Sequence, residues 1–201
     1  MKLLLLMLIG YLIGSIPFAL VIGKVFYKTD VREHGSHNLG GSNTGRVLGK
    51  KAGLSVMTTD LLKVTFVVFL AVQWVGGEVA AVCGALAAAF GHCFPIFARF
   101  RGGKAVATMY GFLFGLFTCL GYNILIFLLP IVVFLTILYV TKIVSLSSIG
   151  SAIAATAYAA FSTGSVPVTA GLVVFTLLIV VRHRANIERV VQHRENKITW
   201  M

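Results

Sequence analysis

Acidic side chains are what this chain has least of. Its 201 residues hold six Asp and Glu against 17 Lys and Arg, and charged residues of both signs make up only 11%. Those six, Asp30, Glu33, Asp60, Glu78, Glu188 and Glu195, form no aspartate-rich constellation of the kind that holds hard cations. No H-E-x-x-H zinc helix and no G-x-S-x-G nucleophile elbow occurs. Cysteine is sparse too. Cys83, Cys93 and Cys119 stand singly in or beside apolar segments, with no C-x-x-C spacing, which excludes a disulfide framework and a zinc site and leaves buried free thiols. A nucleic-acid motif and aromatic-basic interleaving are also lacking, so the formal net charge of +11 needs another explanation than nucleic acid.

Apolar residues are abundant: 58% of the chain is hydrophobic and the mean hydropathy is +0.95, whereas a soluble domain is about half apolar and about a quarter charged. Apolar stretches run at 3–23, 53–75, 79–97, 105–120, 124–140, 144–162 and 166–182. The run 105–140 as one helix would be about 54 Å long against a hydrocarbon core of ~30 Å, so it divides at Gly121-Tyr122-Asn123. The run 144–182 divides likewise at Thr163-Gly164-Ser165. The expectation is one all-α polytopic membrane domain over 1–201, with about seven transmembrane helices. The first run is too long for a signal-peptide core and has no A-x-A-type cleavage site, so it reads as the first span.

Seven spans put the two ends on opposite sides, and charge orients them. With the N-terminus outside, 15 of the 17 Lys and Arg fall on the inner segments 24–52, 98–104, 141–143 and the tail from 182; Lys2 is outside and Lys63 lies within a span. The positive-inside rule therefore predicts N-terminus out and C-terminus cytoplasmic, and it accounts for most of the net charge. Basic residues at a membrane surface also favour anionic lipids.

Every unusual polar stretch then faces the cytoplasm: "HGSHNLGGSNTGRVLGKK" (34–51), "GHCFPIFARFRGGKAVAT" (91–108), "KIVSLSS" (142–148) and "RHRANIERVVQHR" (182–194). Glycine lets backbone approach a ligand closely, and successive N–H groups with Ser, Thr and Asn side chains suit phosphate oxygens. In the second stretch Gly102-Gly103-Lys104 precedes a helical pattern, setting amides and an ammonium at a helix N-terminus. The first is no Walker A loop, since three residues and not four separate Gly45 from Gly49. Four such loops on one membrane face point to a phosphorylated ligand. Asp60 and Lys63, three apart on one span, read as an intramembrane ion pair. His183 and Glu188, five apart, point about 140° from each other on a helix and do not pair; Glu188 reads as a surface or support residue. His92, ending an apolar span beside Pro95, suits a structural or a functional role equally.

These loops resemble the motifs of the bacterial acyl-phosphate:glycerol-3-phosphate acyltransferases, the PlsY family. "GSHNLGGSNTGR" (35–46) is similar to the first motif, residues 91–108 to the second, and "VSLSSI" (144–149) with "RHRANIERV" (182–190) to the third region. The resemblance covers nearly the whole chain. His37 and Ala105 stand where the family pattern has glycine, and Ser42 where it has threonine; Ala105 is expected to fit a helix. The resemblance implies transfer of a fatty acyl group from acyl phosphate to sn-glycerol 3-phosphate, giving 1-acylglycerol 3-phosphate and inorganic phosphate, with no cofactor and no metal. It implies a multi-pass protein of the bacterial cell membrane, with its active site on the cytoplasmic side. By the same resemblance Ser36, Asn38, Ser42 and Asn43, with the Gly40, Gly41, Gly102 and Gly103 amides, surround the donor phosphate. Arg46, Lys104, Ser145, His183 and Asn186 bind glycerol 3-phosphate, and Ser36, Lys104, His183 and Asn186 are the expected catalytic set. The proton of the attacking hydroxyl goes either to the leaving phosphate or to His183. Two other classes compete: a transporter for a phosphorylated metabolite and a non-catalytic lipid-binding scaffold. The spans offer few polar residues for a transport path and no inverted repeat is visible, while a scaffold leaves the Gly-Gly-Lys and Arg-His-Arg stretches without a role.

Overall fold

The computed structural model describes residues 1–198, and the last three positions of the expected single domain lie outside the described residues. Among the described residues ten α-helices follow in order: α1 (Lys2–Gly14), α2 (Phe18–Tyr27), α3 (Gly41–Leu48), α4 (Lys50–Trp74), α5 (Gly77–Cys93), α6 (Val106–Leu120), α7 (Leu125–Thr141), α8 (Val144–Ser162), α9 (Val166–Arg182) and α10 (Arg184–Val191). All seven expected apolar stretches are largely helical, but the first, 3–23, is broken at residues 15–17 into α1 and α2, and 79–97 leaves α5 after Cys93. Both expected breaks occur: α6 stops at Gly121, in the left-handed region at φ 72°, and Gly164 at φ 65° separates α8 from α9. Ser165 then caps α9 by accepting from Val168 N–H at 3.2 Å.

Length divides these helices into two groups. Among the described residues four segments are long and apolar enough to cross a membrane, Lys2–Tyr27, Lys50–Trp74, Gly77–Ala98 and Val144–Ser162; a fifth arises if α9 and α10, bent by 59°, form one span. Helices α6 and α7 are apolar but have 15 and 17 residues, so straight they cover only about 22–26 Å. Helices α3 and α10, eight residues each, lie inside stretches that read as polar loops.

Small residues set the helix contacts. Gly10 and Gly14 lie one turn apart on α1 against α5, and a Cβ on Gly14 would sit 2.0 Å from the Ala88 carbonyl oxygen. Gly111 and Gly115 repeat the pattern on α6 against α4, where a Cβ on Gly111 would be 2.2 Å from the Leu61 carbonyl oxygen. In lipid, where an apolar side chain gains little by leaving acyl chains for a neighbouring helix, such close approach supplies the dispersion that holds helices together. The centre is filled by Val64, Val67, Leu113 and Ile179 and by Phe112 stacked on Phe175 at 5.5 Å. Leu4, Phe66, Val132 and Leu177 point outward, as a lipid-facing surface requires. At the α5 end remote from the polar loops, Glu78 accepts hydrogen bonds from Tyr122 and Ser165, joining α5 to the α6–α7 turn and the start of α9.

Candidate active site

The first polar stretch is folded around one amide. Asn43, 2% exposed, accepts from Ser36 N–H at 2.7 Å and donates to the carbonyls of Val31 (2.9 Å), Asn38 (3.1 Å) and His34 (3.2 Å). Its polar atoms are thus committed to shaping the 31–38 loop. This differs from the expected direct phosphate contact by the Asn43 side chain. Below the loop, Asp30 takes two bonds from the Arg32 guanidinium, 3.0 and 2.7 Å, with Lys24 at 3.3 Å. The Arg32 bonds hold its carboxyl well below the usual carboxylate range. His37 has φ 56°, the left-handed conformation that glycine adopts freely, and its ring nitrogen lies 2.8 Å from the Arg32 carbonyl.

Helix α3 begins directly after this loop, with Gly40 as its N-cap. Its first-turn N–H groups, from Gly41, Ser42 and Asn43, lack the i−4 partners of a helix interior and carry the positive end of the helix dipole. The helix is seated on α4 through glycine: a Cβ on Gly53 would come within 2.6 Å of Gly45 Cα. Arg46, exposed, lies one turn further along α3.

The second stretch is clamped from two directions. The Arg182 guanidinium donates to the Gly103 and Gly102 carbonyls at 3.0 and 3.1 Å and lies 5.1 Å from the Phe94 ring centroid. Gly103 N–H donates to the His92 carbonyl at 2.9 Å. The Gly103 amide is therefore used inside the protein, contrary to its expected place on the donor phosphate; that of Gly102 belongs to the same clamped segment. Lys104 emerges from this clamp with its ammonium 2.5 Å from Asn186 Oδ1. Burial brings the Lys104 ammonium down to about 8, Glu195 pulling the other way and Arg189, Arg182 and Arg46 adding to the fall.

Ala105 is not inside a helix, as expected, but is its N-cap in the left-handed region, φ 61°, and fully buried. For Ala105→Gly, roughly 1–2 kcal/mol of relieved strain is opposed by about 0.5–1 kcal/mol of added chain freedom and about 0.8 kcal/mol of lost methyl burial. Unfolding in detergent should place this variant within about 1 kcal/mol of the parent. Ala105→Val should cost roughly 1–3 kcal/mol by overpacking; a valine variant as stable as the parent would contradict the assignment.

The third wall comes from α8 and the turn at the end of α9. Ser145, Ser147 and Ser148 are buried on the first turns of α8. His183, 4% exposed, sits at the 59° bend between α9 and α10. Its Nδ1 lies 2.8 Å from the Ile179 carbonyl, which places the proton there and leaves Nε2 as an acceptor. Burial, then the neighbouring Lys104, pushes its imidazole down to about 4. Asn186 donates to Glu195 Oε1 at 2.6 Å, Ser145 Oγ lies 3.4 Å from the same oxygen, and Arg189 holds Oε2 at 2.7 Å. The tail that brings Glu195 here is tied down by Ile198 N–H on the Lys142 carbonyl at 2.9 Å. Glu188 is exposed.

These walls enclose one cavity of about 410 Å³. Ser36, Asn38, Gly40, Gly41, Ser42, Asn43, Arg46, Lys104, Ser145, His183 and Asn186 all line it; Gly102 and Gly103 are not in its lining. The remaining wall is apolar, with Leu54, Met57, Phe127, Ile131 and Phe134. Asp60, His92, Arg189 and Glu195 also reach it, and the sequence had not assigned them to the site. Among the described residues no group of three or more His, Cys, Asp or Glu side chains is placed to hold a metal ion.

Cationic groups, helix-start amides and an apolar wall meet in one cavity of an all-helical protein with helices long and apolar enough to cross a membrane, which defines its class. Comparison with known proteins narrows that class. The sequence model of the family described as "Glycerol-3-phosphate acyltransferase" matches residues 4–193. The "Glycerol-3-phosphate acyltransferase" of Geobacillus kaustophilus (strain HTA426) is 46% identical over 196 residues, covering 98% of this chain and 96% of that one. The Bacillus subtilis (strain 168) protein of the same name is 44% identical over 200 residues, 98% of both chains. Among solved structures, the glycerol 3-phosphate form of PlsY (YgiH), an integral membrane glycerol 3-phosphate acyltransferase, superposes with a TM-score of 0.90 at 35% identity, over 99% of this chain and 96% of that one. Its lysophosphatidic acid form gives 0.88 at 34%, with the same coverage. The chain belongs to the glycerol-3-phosphate acyltransferase family of PlsY.

Proposed function

We propose that this protein transfers a fatty acyl group from acyl phosphate to sn-glycerol 3-phosphate at the cavity between its polar loops. The observation that carries the reading is the meeting of all four polar stretches, with an apolar wall, around one space. Phosphate oxygens suit the cationic and amide side, and a fatty chain suits the wall of Leu54, Met57, Phe127 and Ile131. The α3 N-terminus, with Ser36 and Asn38, takes the donor phosphate; Arg46, Lys104, Ser145, His183 and Asn186 take glycerol 3-phosphate. Arg46 offers a planar fork and Lys104 a mobile point charge, which are complementary for a phosphate.

The hydroxyl oxygen attacks the acyl carbon, the bond from that carbon to the bridging oxygen breaks, and inorganic phosphate leaves. Neutralising the phosphate improves it as a leaving group, so positioning and electrostatics supply most of the catalysis. A His183 ring pushed down to about 4 is a weak proton acceptor. It orients the hydroxyl through Nε2, and the leaving phosphate takes the proton. Purified protein should form acylated glycerol phosphate from the two substrates. Flux of glycerol 3-phosphate through proteoliposomes without such product would instead favour a transporter.

The Lys104 ammonium near 8 gives this site a pH signature. Below that value the group is charged and holds phosphate; as pH rises through it, charge and contact are lost. Glycerol 3-phosphate binding, measured by calorimetry from neutral to alkaline pH, should weaken on the alkaline side, with no step in the ordinary histidine range from His183. Affinity flat well past the Lys104 value would remove Lys104 from the phosphate.

We further propose seven spans, N-terminus outside and C-terminus cytoplasmic, from the distribution of 15 of 17 Lys and Arg. In a background lacking Cys83, Cys93 and Cys119, Ser162→Cys should react with an impermeant thiol reagent on intact cells, and Lys51→Cys only after permeabilisation. The reverse pattern would put the cavity on the wrong side for cytoplasmic substrates.

A further inference from the structure

At the edge of the cavity, which Asp60 and His92 reach, lies a polar cluster that the proposed chemistry does not use. Asp60 and Lys63 on α4 have side chains 3% exposed, with Lys63 Nζ 2.7 Å from Asp60 Oδ1. His92, on the last turn of α5, brings Nδ1 to 3.2 Å from Lys63 Nζ and 3.5 Å from Asp60 Oδ1. Lys63 also donates to the Ile16 carbonyl at 3.1 Å, in the break between α1 and α2. The ion pair is close but poorly directed: Asp60 Oδ1 has no aligned hydrogen-bond donor among the described residues. A buried pair of this kind contributes little net stability, since desolvation offsets the attraction. Stability alone is a weak reason for three ionisable groups at this depth.

The far side of the cluster gives a better one. The His92 ring lies directly against the Gly102-Gly103 segment: a Cβ on Gly103 would fall 2.0 Å from His92 Nε2, and one on Gly102 2.1 Å from the His92 carbonyl oxygen. That carbonyl accepts the Gly103 N–H at 2.9 Å, and Arg182 holds the two glycine carbonyls from the other direction. The ring is therefore a spacer between the buried charges and the segment that carries Lys104. Any rotation of it presses on Gly103 or loses the contact.

We infer that Asp60, Lys63 and His92 are positioning residues: they fix the His92 ring against Gly103 and so set where Lys104 presents its ammonium. The inference rests on the reading of Lys104 as a phosphate ligand, and Lys104→Ala tests that parent reading separately. The ring contact makes a specific prediction about size. Gly103→Ala should be severely impaired, because its methyl meets the ring. His92→Ala should raise KM for glycerol 3-phosphate by roughly tenfold, the loss expected for one misaligned charge-assisted bond. Joining the two changes should restore activity above that of Gly103→Ala alone, since the second opens the space the first requires.

The neutral pair Asp60→Asn with Lys63→Met keeps similar volume and leaves no uncompensated buried charge. It should purify as a monodisperse protein with near-parental thermal unfolding, yet show the same rise in KM for glycerol 3-phosphate. The KM for acyl phosphate should stay within a factor of about two, below what the loss of one hydrogen bond produces. A purely structural cluster would lower the unfolding temperature and leave both KM values alone. Parental KM values in the neutral pair, or no rescue of Gly103→Ala by His92→Ala, would overturn the inference even where Lys104→Ala abolishes activity.

Discussion

Lys104→Ala and Arg46→Ala are each expected to lower activity at limiting glycerol 3-phosphate by roughly 10- to 150-fold, the equivalent of losing one charge-assisted hydrogen bond of about 1.5–3 kcal/mol. Both side chains line the cavity, but their settings differ. Arg46 is exposed on α3, so its removal leaves little unsatisfied and should show as raised KM. Lys104 bonds to Asn186, which in turn bonds to Glu195. Its removal leaves the Glu195 carboxylate with Arg189 alone as a charged partner among these groups, so kcat should fall as well. Arg194→Ala, on the exposed tail, is the control and should be nearly silent. Steady-state kinetics with both substrates varied distinguishes these patterns. Full activity in both Lys104→Ala and Arg46→Ala would remove the cation side of the proposed site.

On the proposed mechanism, acyl phosphate should support turnover, and acyl-CoA or acyl carrier protein should not. A thioester has no phosphate next to its reacting carbonyl, so the α3 N-terminus would have nothing to neutralise at the leaving atom. Direct transfer also means that no protein nucleophile is acylated. Radiolabelled acyl phosphate without glycerol 3-phosphate should leave no covalent label. The exposed Ser36 hydroxyl is the place to check for one, although among the described residues no base is hydrogen-bonded to it and its own N–H is fixed by Asn43. Robust turnover with acyl-CoA alone, or an adduct on Ser36 that turns over as fast as the enzyme, would exclude the mechanism.

The sequence carried the long-range architecture unevenly. Apolar runs and the glycine breaks at 121 and 164 were readable because each is a local property: a helix needs only its own residues to be apolar and uninterrupted. The meeting of the polar stretches around one cavity was readable through their placement on one membrane face and through motif resemblance. What each residue does there was less so. Asn43 looks like a substrate ligand in a Ser/Asn/Gly loop, yet its amide is spent on carbonyls of residues 31 to 38, a consequence of how the loop closes. Gly103 looks like a free amide, yet His92, 11 positions earlier, takes its N–H. Glu195 gave no signal at all. It meets Ser145, 50 positions away, and Asn186 only because the tail folds back over α8. Positions 37 and 105 did carry a clue: both depart from glycine in the family pattern, and both have left-handed φ, 56° and 61°.

The most direct test of the account follows the bridging oxygen. Acyl phosphate labelled with oxygen-18 between the acyl carbon and phosphorus is given to the purified protein with glycerol 3-phosphate, and the products are weighed by mass spectrometry. Attack at the acyl carbon predicts acylated glycerol phosphate without label and all of the label in inorganic phosphate, with both products formed in equal amounts. Label in free fatty acid, or phosphate release without acylated glycerol phosphate, would show that the protein does not transfer the acyl group and would contradict the account.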